Sequence, residues 1–308
     1  MRDRLRGIFP PLPTPFDNQD RIDRRGLASN VRRLMATRLT GVLAIGSNGE
    51  AAHLDDDECD EVVDVVREAV PRDRVLLVGT GRESTRQTVQ ACVRAAARGA
   101  DAVLVRPPSY FKPQMTADAL VMHFTAVADA SPVPVLLYNL PAVTGVTLTP
   151  AVVARLVDHA NVVGIKETSM DLERLGQFTA LRPGTFRVFS GSAPVGYPAL
   201  VSGAAGGIFA IANVLPDECT ALYEDAVAGR HAEALERQRR LTPMAQLVTS
   251  VHGVPGLKAA LELAGAVGGP VRAPLARVSA KARDEIAAAL SMFGTSPNPE
   301  WSQPSKSH

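Results

Sequence analysis

The chain has 308 residues, 46% of them apolar and 21% charged, and its 33 Lys and Arg against 32 Asp and Glu leave a formal charge of +1. Balanced, interspersed charge offers no broad electrostatic footprint for nucleic acid or an anionic membrane, so neither is expected as a partner. No apolar run approaches the roughly 20 residues of a membrane span, and Met1 to Arg6 are too few for a signal peptide, so the expected compartment is the cytoplasm.

Short β-branched apolar runs recur along the chain and predict strands at 7–16, 41–48, 74–80, 102–107, 133–139, 162–167, 187–191 and 207–213. Each is followed by an amphipathic stretch of helical period, at about 24–37, 55–70, 84–98, 116–129, 149–158, 171–181, 194–202 and 216–228. Ser84 and Thr149-Pro150 read as helix starts, and Gly99 as a helix end. Continuously apolar strands such as Val133-Pro134-Val135-Leu136-Leu137 imply burial on both faces, as in a parallel sheet covered by helices. Eightfold βα alternation favours an α/β fold of the closed (β/α)8 TIM-barrel type, over residues 1–228, above an open doubly wound sheet. From 229 to 293 the alternation gives way to helices at about 230–250, 255–265 and 279–291, a C-terminal helical extension. Residues 294–308 are rich in Pro and Ser and are expected to be disordered, with Trp301 outside the core.

In a barrel, reactive groups project from the C-terminal ends of the strands. The sixth predicted strand, read in Val162-Val163-Gly164-Ile165-Lys166-Glu167-Thr168, places one of only five lysines at the end of its apolar run. One reading is a rim lysine that snorkels to solvent and pairs with Glu167. The other is a nucleophile: desolvation disfavours the charged ammonium, and a free amine attacks ketones. The protonated imine that results draws electrons from the neighbouring bond and so supports C–C cleavage or formation without a metal or other cofactor. Tyr138, at the end of the fifth strand, is either a proton relay or a core tyrosine with a satisfied hydroxyl. Gly46-Ser47-Asn48-Gly49-Glu50 reads as a tight strand-to-helix turn whose backbone N–H groups suit a carboxylate. P-loop and dinucleotide spacings are missing, which disfavours nucleotides.

The six histidines form no H-x-H or H-E-x-x-H pair and read mostly as surface or loop residues. Cys59, Cys92 and Cys219, without any C-x-x-C, read as buried small hydrophobes. Asp55-Asp56-Asp57-Glu58 reads as the acidic start of a helix rather than a cation site. No metal is expected.

Taken together, Gly46-Ser47-Asn48-Gly49-Glu50, Tyr138-Asn139-x-Pro141 and Gly164-Ile165-Lys166-Glu167 resemble the dihydrodipicolinate synthase/N-acetylneuraminate lyase family of lysine-dependent aldolases. The likeness continues through Gly253-Val254-Pro255-Gly256-Leu257-Lys258 and Gly269-Pro270-x-Arg272-x-Pro274-Leu275. The resemblance implies that Lys166 forms the Schiff base and Tyr138 relays protons. It gives Ser47 and Asn48 the carboxylate of the 2-oxo acid, and Ser47 a share in the relay. It makes Tyr110 the residue that a neighbouring subunit contributes, sets Ile208 and Gly191 beside the pyruvate pocket, and implies a homotetramer built as a dimer of tight dimers.

Departures from the family pattern narrow the substrate. Val143 stands where synthases acting on aspartate semialdehyde usually carry an arginine, so a bidentate carboxylate partner is missing. Ser192-Ala193-Pro194 stands where sialic-acid lyases usually carry acids. Gly81-x-Glu83-Ser84-Thr85, Ser131-Pro132-x-Pro134-Val135 and Gly191-Ser192-Ala193 resemble the 4-hydroxy-2-oxoglutarate aldolase branch, where Thr168 takes the place of a serine suited to the distal end of a substrate. The expected activity is that of a pyruvate-dependent class I aldolase on a 4-hydroxy-2-oxo acid, with pyruvate and an aldehyde as its small-molecule partners. The alternatives are a 4-hydroxy-tetrahydrodipicolinate synthase, a 2-keto-3-deoxy sugar acid dehydratase or aldolase, and, in a different class, a non-catalytic 2-oxo acid sensor.

Overall fold

The computed structural model describes residues 1–294; the expectation of a disordered tail with Trp301 lies almost wholly outside them. Eight strands, β1 (Gly7–Ile8), β2 (Gly41–Ala44), β3 (Val75–Gly79), β4 (Ala102–Val105), β5 (Val135–Asn139), β6 (Val162–Glu167), β7 (Arg187–Ser190) and β8 (Gly206–Gly207), form one sheet. All pairings are parallel, and β8 returns to β1. The seam between β1 and β2 is closed just beyond β1, where Leu12 N donates to Leu43 O (2.8 Å) and Leu43 N to Pro10 O (3.0 Å). The expected (β/α)8 barrel is therefore present.

The two strands flanking the chain closure are much shorter than expected. Pro10, Pro11, Pro13 and Pro15 carry no N–H, so the run after Ile8 cannot sustain a ladder. Beyond Gly207 the apolar run coils into a 3-10 turn at Ala210–Asn213, buried but not extended.

The helices are α1 (Arg24–Met35), α2 (Asp56–Ala69), α3 (Thr85–Ala97), α4 (Ala117–Ala130), α5 (Pro141–Thr144), α6 (Pro150–Ala154), α7 (Leu172–Leu181), α8 (Gly196–Val201), α9 (Pro216–Val227), α10 (His231–Gln246), α11 (Gly253–Leu263) and α12 (Ala280–Ser291). Asp23, Asp55, Ser84, Thr116, Thr149, Asp171 and Ser279 each cap a helix by accepting the backbone N–H three residues on. Each such cap stabilises its helix by about 1 kcal/mol. Asp55 and Glu58 complete a reciprocal capping box, and Asp56 pairs with Arg82 and Arg94, so the acidic run serves a helix start.

Strand residues alternate between two cores, as a period of two requires. Leu43, Leu77, Leu104, Leu136, Phe189 and Ile208 fill the barrel interior, while Val42, Val78, Val103, Leu137 and Val188 face the helices. The extension is tied to the barrel by polar contacts: Gln238 Nε2 donates to Ala193 O (3.0 Å), and Asn30 exchanges hydrogen bonds with both the N–H and the C=O of Val267. Among the described residues no helix is long and apolar enough to cross a membrane.

All three cysteines are buried and unpaired, and burial pushes their thiols up. His123 departs from the expected surface placement. It is 5% exposed on the inner face of α4, its Nδ1 lies 2.9 Å from Thr85 Oγ1, and burial holds its pKa down at about 4.

Candidate active site

β5 and β6 pair Tyr138 with Lys166 and Asn139 with Glu167. Residues opposite one another on adjacent strands share a face, and successive residues alternate. Lys166 and Tyr138 consequently meet inside the barrel: Lys166 Nζ donates to Tyr138 OH at 3.3 Å and lies 4.4 Å from the ring centroid. Both are nearly sealed from solvent, at 4% and 6% exposure. Asn139 and Glu167 meet on the other face, where Asn139 Nδ2 donates to Glu167 Oε2 at 2.6 Å. Ser169 N donates to Glu167 Oε1, also at 2.6 Å, so Glu167 braces the ends of two strands instead of pairing with Lys166. Strand alternation alone is enough to reject the rim-pair reading.

The turn after β2 completes the cluster. Ser47 Oγ lies 3.4 Å from Tyr138 OH, and Asn48 is half-buried beside it. Ser47–Gly49 forms one 3-10 turn, flanked by Ile45 and Glu50, both with φ near +55°. Each non-glycine residue in the left-handed region costs of order 1–3 kcal/mol and persists only where its surroundings over-determine it. Thr14 Oγ1 supports the turn by donating to Gly49 O at 2.7 Å.

Gly191 and Ile208 directly follow β7 and β8. Ile208 is fully buried in the barrel interior. A Cβ on Gly191 would stand 2.1 Å from Thr168 Cγ2 and 2.9 Å from Lys166 Cε, so only glycine leaves room for the lysine stem. Thr168 Oγ1 donates to Asn139 O at 2.6 Å, which fixes its methyl group toward Gly191. Val143, on α5, is 71% exposed.

Tyr110 is not brought to the cluster within one chain. It is 79% exposed, its ring packs edge-on against Phe111, and its hydroxyl makes no hydrogen bond among the described residues. Its backbone N–H, with that of Ser109, donates to Glu83.

Sequence reasoning quoted Glu50, Lys258 and Arg272 inside motifs but gave them no part. The structure joins them behind the Ser47–Gly49 turn: Lys258 Nζ donates to Glu50 Oε1 at 2.5 Å and Arg272 N to Glu50 Oε2 at 2.9 Å. The rarity of lysine in this chain was the one available signal.

A closed barrel that turns a lysine and a tyrosine toward each other at the ends of adjacent strands defines the class, a (β/α)8-barrel lyase of the Schiff-base aldolase kind. The chain belongs to the dihydrodipicolinate synthetase family, whose model matches residues 4–293. It is 35% identical over 290 residues to the 4-hydroxy-tetrahydrodipicolinate synthase of Methanospirillum hungatei JF-1, covering 93% of this chain and 99% of that one. It is 34% identical over 300 residues to an Emericella nidulans protein named "Probable 4-hydroxy-2-oxoglutarate aldolase, mitochondrial", covering 96% of both. Among solved structures, the 4-hydroxy-tetrahydrodipicolinate synthase of Methylacidiphilum fumariolicum SolV superposes with a TM-score of 0.89 at 30% identity, covering 94% of this chain and 96% of that one.

Proposed function

We propose that the chain is a class I, pyruvate-dependent aldolase that cleaves a 4-hydroxy-2-oxo acid, such as 4-hydroxy-2-oxoglutarate, to pyruvate and an aldehyde. The carrying observation is the buried approach of Lys166 Nζ to Tyr138 OH, with Ser47 Oγ 3.4 Å from the same hydroxyl. The free amine of Lys166 adds to C2, and loss of water gives the imine. Tyr138 gives its hydroxyl proton to the departing water, and the phenolate so formed accepts the C4 hydroxyl proton as the C3–C4 bond breaks, the bonding electrons passing through C3 to the protonated imine. The aldehyde leaves, the enamine is protonated at C3, and water releases pyruvate and the free lysine.

Ser47 and Asn48 hold the 2-oxo acid carboxylate in this reading, Gly191 and Ile208 bound the pyruvate pocket, and Thr168 and Val143 face the distal end of the substrate. Tyr110 completes the relay from a second copy in a homotetramer, a role its 79% exposure supports. Mixing inactive Lys166→Ala with Tyr110→Phe subunits tests that role: recovered activity supports it, and none speaks against it.

The second reading is a 4-hydroxy-tetrahydrodipicolinate synthase, favoured by the name of the Methanospirillum relative and weakened by Val143. Incubation with pyruvate and borohydride, followed by mass spectrometry, tests the shared step, and label absent from Lys166 refutes both readings. Coupled assays on 4-hydroxy-2-oxoglutarate alone, against pyruvate plus aspartate semialdehyde, separate them.

A further inference from the structure

Behind the Ser47–Gly49 turn lies a buried ion pair that the reaction does not use. The side chains of Lys258 and Glu50 are 2% and 1% exposed. Lys258 Nζ divides its donors between Glu50 Oε1 (2.5 Å) and Pro270 O (2.7 Å), and it sits 4.5 Å from the Phe16 ring centroid. Glu50 Oε2 accepts from Arg272 N (2.9 Å) and lies 3.4 Å from His53 Nδ1. The Arg272 guanidinium, 4.3 Å from the same ring, donates to Glu58, to Asp20 and to His53 O. Both carboxylate oxygens of Glu50 are thus held by donors from the C-terminal extension, more than 200 positions along the chain.

Net stability does not account for such a pair. Desolvating two charges offsets most of their attraction, and apolar residues of equal volume commonly do as well. What the pair provides is direction. Glu50 is the left-handed residue that ends the Ser47–Gly49 turn, its N–H donates to Ser47 O at 3.2 Å, and Ile45 on the other flank is also left-handed. A β-branched residue such as Ile45 leaves that conformation readily once the turn is released.

We propose that Glu50 is a positioning residue for substrate binding: Lys258 and the Arg272 backbone fasten its carboxylate from the extension, and this fastening holds Ser47 and Asn48 in the conformation that grips the carboxylate of the 2-oxo acid. The inference rests on the role given above to Ser47 and Asn48.

The test measures the pyruvate concentration that half-saturates borohydride labelling of Lys166 in the full-length protein, a readout independent of the aldehyde. Lys258→Met keeps the stem and removes the ammonium. It is expected to raise half-saturation about 10- to 100-fold, the loss of a charge-assisted contact, while labelling at saturating pyruvate stays within about threefold. Ile286→Ala, on the buried face of α12, is the control; it is expected to lower the melting temperature without raising half-saturation. A rise of equal size in the control means general loosening and overturns the inference. Unchanged half-saturation in Lys258→Met overturns it while leaving the aldolase reading intact, whereas no label in the wild type overturns both. Should Lys258→Met fail to fold, the isosteric Glu50→Gln is read by the same criteria.

Discussion

Gly191→Ala is the substitution whose effect can be worked most directly from the geometry. The new methyl would stand 2.1 Å from Thr168 Cγ2, 2.9 Å from Lys166 Cε and 3.2 Å from Glu167 O. Ordinary carbon–carbon contact lies at about 3.5–4.0 Å, so the first pair must separate by roughly 1.5 Å. Thr168 cannot simply rotate its methyl away, because its hydroxyl is committed to Asn139 O at 2.6 Å; breaking that bond costs about 1 kcal/mol. Either the threonine turns or the lysine stem is pushed aside. Overpacking of this kind destabilises by about 1–3 kcal/mol, and a misplacement of about 1 Å at a reacting group slows turnover about 100-fold. Urea melts and borohydride labelling rates of Lys166 measure the two effects separately. Thr168→Ser deletes the first clashing carbon, so the double variant Gly191→Ala/Thr168→Ser should recover most of the lost stability but only part of the rate, since the contact with Lys166 Cε remains. Wild-type stability and labelling in Gly191→Ala alone would refute the reasoning.

Three further outcomes are expected. Tyr138→Phe should lower turnover by about 100- to 10,000-fold, the range of a positioned proton donor and acceptor, while prolonged incubation with pyruvate and borohydride still labels Lys166; undiminished turnover removes the phenol from the relay. Burial lowers the pKa of His123 to about 4 from an ordinary 6.5, so the unfolded chain binds more protons between these values. Its contribution to stability is therefore full above about pH 6.5 and is lost as pH falls through about 4, by up to about 3 kcal/mol. Melting temperatures across that range should drop less steeply in His123→Gln, and parallel slopes would contradict the assignment. Val143→Arg, at an exposed rim position, should raise condensation of pyruvate with aspartate semialdehyde relative to cleavage of 4-hydroxy-2-oxoglutarate in coupled assays; an unaltered ratio means that position 143 does not face the second substrate.

How much of this was legible in the sequence depended on whether the deciding partner was local. β6 was read to the residue, because its apolar run and its limits are both visible in the chain. β1 and β8 were read too long, because hydrophobicity reports burial and not ladder formation: prolines interrupt the one and a buried 3-10 turn follows the other. Lys166 and Tyr138 were singled out because strand ends locate a barrel's mouth. Their mutual approach was not readable, since it depends on the register between β5 and β6. His123 could have been placed inside, for Leu120, His123, Phe124 and Val127 follow helical spacing on the buried face of α4. Lys258 could not: nothing near it in the chain announces a carboxylate donated from the turn after β2.

The pairing of Tyr138 with Lys166 across two strands has one last consequence. Their separation is set by main-chain hydrogen bonds that no replacement short of proline erases, whereas Val143 and Thr168 belong to rim segments beyond those strands. Transplanting the 140–145 segment between relatives should therefore retune which aldehyde is accepted in coupled assays while Lys166 and Tyr138 stay in register and pyruvate-dependent borohydride labelling persists. In such a scaffold, selectivity is free to drift over evolutionary time without the underlying reaction being reinvented.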